Sequence, residues 1–333
     1  MKILFINRKN RFIGKTKAEK PKYIKQGMIL KMQEIPQFLY KKLQSQYGEE
    51  LTKKIANGYS KQRYATLRAN TIKTEANNVA KELQKAGIKF DKVNWSDNAF
   101  IIKNATESDI RNLSIYKNGE IYMQSLSSMI PAIILSPNAG ENILDMTAAP
   151  GGKTTQIAAL SNNQCFITAC EKNKIRLDRL KYNLEKQGAT STNVMNIDAR
   201  KLDDFFSFDK VLLDAPCSGS GTLNANDENL GKYFTKELIQ RSQKTQFELL
   251  QKAINVLKPG NEMVYSTCSI LQEENEENIQ KYIKKRLVEI VPINLKQYEE
   301  IPKLPTKIEG TMCICPDELY EGFFVAKLRK KAK

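Results

Sequence analysis

Six cysteines and no histidine set the chemistry open to this 333-residue chain. Without histidine, Ser-His-Asp and Cys-His catalysis are excluded. Nucleophilic and proton-transfer work falls to Cys, Lys, Asp, Glu, Tyr or a cofactor. None of the cysteines forms a CxxC pair, and Cys313-x-Cys315 has neither a second pair nor a histidine to complete a zinc site, so no metal is expected. A chain of this length needs no disulfide scaffold, which implies free thiols and a reducing compartment. Two cysteines stand apart. Cys217 follows Pro216 in "DAPCSGSGT" and leads into a Ser/Gly-rich loop, and Cys268 lies between Thr267 and Ser269 in "YSTCS". Each leaves a strand-like run at its carboxyl end. Cys165, inside such a run, reads as a small hydrophobe.

The stretch "MTAAPGGKTT" (146–155) raises a second question, because "GGKT" imitates the end of a phosphate-binding P-loop. A P-loop requires GxxxxGK[ST], and its first glycine would be residue 147, which is Thr. Pro150 also lacks an amide donor for phosphate. "KVLLDAP", ending near Asp214, imitates the acidic strand of an NTPase, so an NTPase is retained only as a rival reading. The preferred reading is a loop of small residues, Thr147, Ala148, Ala149, Pro150, Gly151, Gly152 and Lys153, lying close to a nucleoside. Asp145 ends the strand before it. Glu171 ends the next strand, where an acid can accept from ribose hydroxyls. Asp198 ends the third and could meet an adenine amine. Strand-end carboxylates also cap helices, but three in register after successive strands say more than one. A ligand with ribose and adenine and no pyrophosphate fits, and S-adenosylmethionine is such a ligand. GxGxxG, the mark of NAD sites, is absent.

These residues need a scaffold that brings strand ends together. "NILDM", "FITACE", "TNVMNID", "KVLLDAP" and "EMVYSTCS" alternate with helical patterns opening near Lys153, Asn173, Leu202 and Thr235. Apolar strands alternating with amphipathic helices predict an α/β fold, a doubly wound parallel sheet of Rossmann-like type over residues 119–330, with ligands at the carboxyl ends of its strands. Residues 34–118 read as a smaller α/β module. It has a helix carrying Phe38, Leu39, Leu43 and Tyr47 that Gly48 can stop, and a strand in "YATLRANTIK". A second helix opens at Thr74 and closes at Gly87, and a strand pair follows in "KVNWSDNAFIIK". Residues 1–33 are rich in Lys and Arg and read as an arm, either solvated or in contact with RNA.

Lys+Arg exceed Asp+Glu by 16 and the pI is about 9.4, a balance that suggests a polyanionic partner, nucleic acid first. No apolar run is long enough to span a membrane, and "MKILFINRKNRFIGK" lacks a secretory apolar core. A cytoplasmic monomer is expected.

"TAAPGGKT", "DAPCSGSGT", "KPGNEMVYSTCSILQEENE" and "EGFFVAKLRK", in this order, resemble the Sun/nucleolar-protein family of RNA cytosine-C5 methyltransferases. The likeness runs from about residue 35 to 330, and "LRANTIK" is similar to the family's N-terminal RNA-binding module. It implies S-adenosylmethionine as cofactor and rRNA or tRNA as substrate, with rRNA slightly favoured. It also implies a chemistry suited to a chain without histidine. A thiolate adds to carbon 6 of cytosine, carbon 5 takes the methyl group, and the adduct is then resolved. The residues alone do not order the two cysteines; the resemblance makes Cys268 the nucleophile and Cys217 the group acting later. Asp214 is placed to stabilise charge at N3, Lys153 to favour the thiolate, and Thr147 through Lys153, Glu171, Asp198 and Asp214 to hold the cofactor, with Arg176 as a further contact. Asn261 stands where the family has the second glycine of "KPGG", a substitution attributed to the left-handed backbone that Asn tolerates. A catalytically silent RNA-binding or ribosome-assembly protein is the other alternative; the presence of both cysteines and Asp214 weighs against it.

Overall fold

The computed structural model describes residues 35–332. The basic arm expected over 1–33 lies outside them. The helices are α1 Gln37–Tyr59, α2 Ala76–Lys85, α3 Glu107–Asn112, α4 Ser114–Lys117, α5 Leu126–Leu135, α6 Gly152–Leu160, α7 Lys174–Gln187, α8 Leu230–Tyr233, α9 Lys236–Val256 and α10 Glu276–Lys284. The first four strands are β1 Thr66–Ala69, β2 Phe90–Val93, β3 Ser96–Ile102 and β4 Ile121–Met123. They form an antiparallel sheet in the order β2-β3-β1-β4. The larger sheet uses β5 Asn142–Asp145, β6 Phe166–Cys170, β7 Thr192–Met195, β8 Phe208–Asp214, β9 Leu257–Thr267, β10 Val288–Ile290, β11 Lys303–Leu304, β12 Met312–Ile314 and β13 Phe323–Lys330.

In the larger sheet the order is β11-β12-β13-β9-β8-β5-β6-β7, with β10 paired to β13. Strands β7, β6, β5, β8 and β9 are parallel as the alternation predicts, but β13 runs antiparallel to β9 and carries an antiparallel edge. The reason lies in the connections. No helix separates β11, β12 and β13, and short links return the chain antiparallel. The sheet is buried on both faces, and its strands divide their side chains strictly. Val211, Leu213, Met263, Tyr265 and Phe324 enter one core with α1 and α9. Ile143, Leu212, Val264 and Val325 enter the other with α5, α6 and α7.

Local expectations hold with adjustments. Asn173 and Thr235 cap α7 and α9, each accepting from a backbone N–H three residues on. No helix opens at Leu202. The β7–β8 link holds a single 3-10 turn at Ala199–Lys201, and past it Asp203 takes the backbone N–H of Phe205, a turn that competes with a helix start. Thr74 does not cap α2. Its N–H donates to Asn70 O in a turn, and Glu75 occupies the capping position. Gly48, at φ 80°, kinks α1 rather than ending it, and the helix resumes to Tyr59. In the "KPGN" turn the left-handed residue is Gly260 (φ 78°), so Asn261 occupies an ordinary conformation.

The strand β1 is buried on both faces. Leu67 and Ala69 join the small core with Val79, Leu83, Phe100 and Ile121. Arg68 and Asn70 point to the larger domain. Arg68 Nε donates to Gln124 Oε1 (2.8 Å), and its Nη2 donates to Thr155 Oγ1 (2.7 Å) and Gly152 O (3.1 Å). Asn70 Nδ2 donates to Gly119 O and Gln187 O, and Lys73 Nζ to Asn118 O and Lys186 O, closing the carboxyl end of α7. "RANTIK" is thus a strap that docks the small sheet onto α6 and α7. Gly119 sits in that junction at φ 73°, where a Cβ would collide with the Lys186 carbonyl oxygen. Gly119→Ala combines a strained left-handed residue with that collision, and should lower unfolding free energy by at least about 2 kcal/mol in urea titration. A wild-type midpoint would remove the junction from the fold's stability.

Candidate active site

Two parallel strands that end level bring the cysteines together. β8 and β9 pair with Leu213 opposite Tyr265 and Asp214 opposite Ser266. The chain leaves β8 through Ala215, whose N–H still donates to Ser266 O (2.8 Å), and reaches Cys217; β9 ends at Thr267 and reaches Cys268. The loops are stitched further on, with Gly221 N–H donating to Cys268 O (2.9 Å) and Gly322 N–H to Gly221 O (2.8 Å). A Cβ at Gly221 would collide with the Gly322 carbonyl, so the glycines of "SGSGT" and "EGFF" permit this approach. The result is Cys217 Sγ and Cys268 Sγ 3.0 Å apart, both half-buried free thiols. The hydrogen bond with Cys268, together with burial, pushes the Cys217 thiol well above its ordinary range. Cys165, Cys170, Cys313 and Cys315 are buried in the cores, as small hydrophobes are.

Lys153 and Asp214 lie beside this pair. Lys153 Nζ is 2.8 Å from Asp214 Oδ2 and donates to Ser128 Oγ (2.6 Å); Ser266 Oγ donates to Asp214 Oδ1 (2.8 Å). Two adjoining cavities meet here. Thr147, Ala149, Arg176, Asp214 and Cys268 line both. The first extends past Glu171, Asp198 and Cys217; the second extends past Tyr122, Ser128 and Phe323 to the small sheet.

The 147–153 loop is not built as a P-loop cradle. Thr147 N–H donates to Asp145 Oδ1 (3.4 Å), Ala148 N–H to Cys170 O (3.0 Å) and Gly151 N–H to Ala148 O (2.7 Å), and Pro150 has no N–H. Those donors turn inward, toward the protein, and Lys153 is held by Asp214 rather than by the loop. Asp145 anchors the loop from below, taking Thr154 Oγ1 at 2.7 Å. Burial drives its carboxyl up to about 6.

Glu171 is buried at the end of β6, accepts Asn173 N–H (2.7 Å) and faces Arg176 at 3.6 Å; Arg176 also donates to Ala149 O (2.6 Å). Asp198 lines the same cavity but is gripped by Arg200, which donates to both its oxygens (3.0 and 2.6 Å) and holds its carboxyl below the usual range. Its free lone pairs are fewer than the sequence suggested. Most residues named from the sequence line these two cavities: Thr147, Ala149, Glu171, Asp198, Asp214, Cys217 and Cys268 the first, and Ala148, Pro150, Gly152 and Lys153 only the second, while Gly151 lines neither. Those the sequence missed are Arg200, Ser128, Ser266 and Glu274. Arg200 sits two residues beyond Asp198, a local signal that was readable; Ser128 comes from α5 and has no signal in the motif stretches. Among the described residues no cluster of His, Cys, Asp or Glu could hold a metal ion, and no helix is long and apolar enough to cross a membrane.

Comparison with known proteins agrees with this geometry. Residues 132–329 match the family described as 16S rRNA methyltransferase RsmB/F, and residues 35–109 match the ferredoxin-like domain of RsmF/B-like methyltransferases. Ribosomal RNA small subunit methyltransferase F of Shewanella sp. (strain ANA-3) is 36% identical over 272 residues, covering 80% of this chain and 56% of that protein. The protein of the same name from Vibrio vulnificus (strain YJ016) is 38% identical over 277 residues, covering 80% and 58%. The chain thus spans a little over half the length of these relatives. A methyltransferase homolog protein from Pyrococcus horikoshii superposes with a TM-score of 0.79 at 32% identity, covering 91% of this chain and 99% of that one. NSun6 from the same organism, at 24% identity and a TM-score of 0.80 over 91% of this chain and 100% of that one, shares the fold. By the match over most of its larger domain, with the small sheet matched separately, the chain belongs to the RsmB/F family of methyltransferases.

Proposed function

We propose that the chain transfers a methyl group from S-adenosylmethionine to carbon 5 of a cytosine in small-subunit rRNA, with Cys268 as nucleophile and Cys217 as the group that acts in product release. The observation that carries this reading is the pair of free thiols 3.0 Å apart where two cavities meet, in a chain without histidine.

The first cavity fits the donor. Met146, Ala149, Ile197, Ala199, Pro216 and Leu249 offer an apolar slot for a purine; Glu171 lies within reach of ribose hydroxyls, and the loop is not built as a P-loop. Asp198 and Arg200 flank the purine end. When bound, the donor supplies an electrophilic sulfonium methyl group. The second cavity, reaching the small sheet, suits the cytosine and its flanking nucleotides.

The chain's own residues then divide the work. The Cys268 thiolate bonds to carbon 6 and makes carbon 5 nucleophilic. Negative charge spreads over the ring toward N3. Asp214 lines the cavity and holds the Lys153 ammonium at 2.8 Å, and that ammonium offsets the charge. After methylation a water molecule takes the carbon-5 proton, the C–H pair reforms the C5–C6 double bond, and the S–C6 pair leaves with the Cys268 sulfur as thiolate. Cys217, held as a thiol, hydrogen-bonds the sulfur that departs. The target base must leave its stack to reach the thiol. The assignment to rRNA rests on the names of the relatives and on the net charge of +16. The small sheet serves as the RNA-binding module and the larger sheet as the catalytic one, with the boundary expected at 118 moved past Met123, because β4 pairs with β1, and with α1 packed into the larger core; an rRNA substrate would place the reaction in the cytoplasm, where thiols stay reduced.

Cys268→Ala should lower methyl transfer by at least about a thousandfold and abolish covalent RNA–protein complexes. Bisulfite sequencing of rRNA and denaturing gels read the two effects, and turnover near wild type would end the assignment. Cys217→Ala should form the bond but release it slowly, leaving RNA attached through denaturation. Absence of retained RNA in that variant, with Cys268 intact, would sink the release role.

A further inference from the structure

One buried carboxyl group joins the two cysteine loops, and nothing in the proposed chemistry uses it. Glu274 is fully buried, seven residues after the β9 strand end. Its Oε1 accepts the Ser218 N–H (2.8 Å) and Gln246 Nε2 (3.0 Å); its Oε2 accepts Ser218 Oγ (2.5 Å) and Ser269 Oγ (2.6 Å). Ser218 and Ser269 are the residues immediately following Cys217 and Cys268. Gln246 also donates to Pro216 O, the residue before Cys217 (3.0 Å). All these donors are neutral. Glu274 itself is pinned by its backbone, since Tyr265 OH donates to Glu274 O (2.6 Å). The loops have other links, but this carboxyl group alone, among the described residues, bonds the neighbours of both cysteines through one side chain. Burial lifts its carboxyl above the usual range while the four donors pull the other way.

We propose that Glu274 is a positioning residue for product release: by holding Ser218 and Ser269 on one carboxyl group it keeps the Cys217 sulfur against the Cys268 sulfur, so that the adduct is resolved where it forms. This rests on the two-cysteine reading above. Adduct formation needs only Cys268 and its cavity. Resolution needs both sulfurs in contact, and a shift of about 1 Å in such a geometry costs about a hundredfold. Loosening the clamp therefore slows the second step more than the first.

Glu274→Asp and Glu274→Gln separate shape from charge. Asp keeps the carboxylate but is one methylene short and cannot span both serines. Gln keeps the length; its oxygen accepts the Ser218 N–H and the two hydroxyls rotate to accept from its amide. The full chain would be incubated with S-adenosylmethionine and small-subunit rRNA transcribed in vitro, with covalent complexes counted on denaturing gels. E274D is expected to raise the covalent fraction at steady state by at least about tenfold while forming adduct near the wild-type rate, and E274Q to restore release relative to E274D. If E274D melts far below the wild type, Ser269→Ala, which removes one arm of the clamp, takes its place with the same expectation. The proposal is overturned if these folded variants release product at the wild-type rate, or if E274D and E274Q lose adduct formation and release equally. Cys217→Ala runs alongside: retained RNA there with none in E274D rejects the role of Glu274 only, whereas no retained RNA in either rejects the two-cysteine reading with it.

Discussion

The site depends on the register in which β8 and β9 pair. Asp214 stands opposite Ser266, so both strands end level and their loops emerge side by side. A slip of one residue would carry the loops apart by about 3.3 Å and exchange the faces of every side chain on the moved strand. Such a slip is costly because the sheet is buried on both faces. If β9 slipped, Tyr265 would leave one core and Val264 the other; if β8 slipped, Leu213 and Leu212 would do the same. Burial on both faces thus fixes the register, and the register brings two sulfurs within contact. Sulfur contributes little attraction of its own; the hydrophobic cores hold it there. Asp214 and Ser266, the last opposed pair, are also hydrogen-bonded through their side chains, so the final rung of the ladder is itself part of the site.

The small sheet is coupled to the same loop chemistry by a buried cation. Arg68 is 3% exposed and, among the described residues, has no carboxylate partner. Burial lowers its guanidinium to about 10, still far above neutrality. Nε and Nη2 are met by carbonyl and hydroxyl oxygens of Gln124, Gly152 and Thr155, and the guanidinium lies over the face of Tyr122, 5.1 Å from the ring centre, while among the described residues Nη1 finds no hydrogen-bond acceptor. Two of those oxygens belong to the start of α6, directly after the 147–153 loop. A displacement of the small sheet must therefore either move that loop or strand a buried charge, which is the more expensive outcome. Motion of the two domains and geometry of the loop are one variable, which is the coupling an enzyme needs if substrate binding on one module is to complete a pocket on the other.

The strand ends were legible in the sequence because their motifs punctuate apolar runs. The parallel strands have clear composition, and Asn173 and Thr235 sit where capping residues must. The cysteine loops declared themselves through "APCSGSG" and "STCS", residues that no buried strand interior would carry. Three kinds of feature were hidden. The antiparallel edge depends on connection length, which short runs such as Lys303–Leu304 conceal. The docking role of Arg68 and Asn70 was hidden because alternation marks the face opposite Leu67 as polar, and polar there means bonded to another domain rather than to water. Asp198 was read as free, since the sequence does not report that Arg200 folds back on it. The cysteine order was not derivable from type or spacing, because the two loops present equivalent chemistry; the difference appears only in the fold, where Cys268 lines both cavities and Cys217 the first.

Asp145 makes the cost of this arrangement visible. It is 1% exposed, bonded to Thr154 Oγ1 and the Thr147 N–H, and its carboxyl is driven by burial to about 6 against 3.8 for an exposed group. A carboxyl whose folded value is raised favours the folded state only when protonated. Its penalty is absent below the unfolded value, grows as pH rises between about 4 and 6, and is fully present above, amounting to about 3 kcal/mol. A Leu or Asn at this position would remove that penalty. Leu accepts neither donor, whereas Asn keeps an oxygen for the Thr147 N–H and needs the Thr154 hydroxyl to rotate and accept from its amide. In the loop that follows, the amides of Thr147, Ala148 and Gly151 are spent on inward bonds of the same kind. Asp145 takes both donors as they stand, with no hydroxyl turned, and the stability lost there is the physical counterpart of a pocket whose walls are set before any ligand enters.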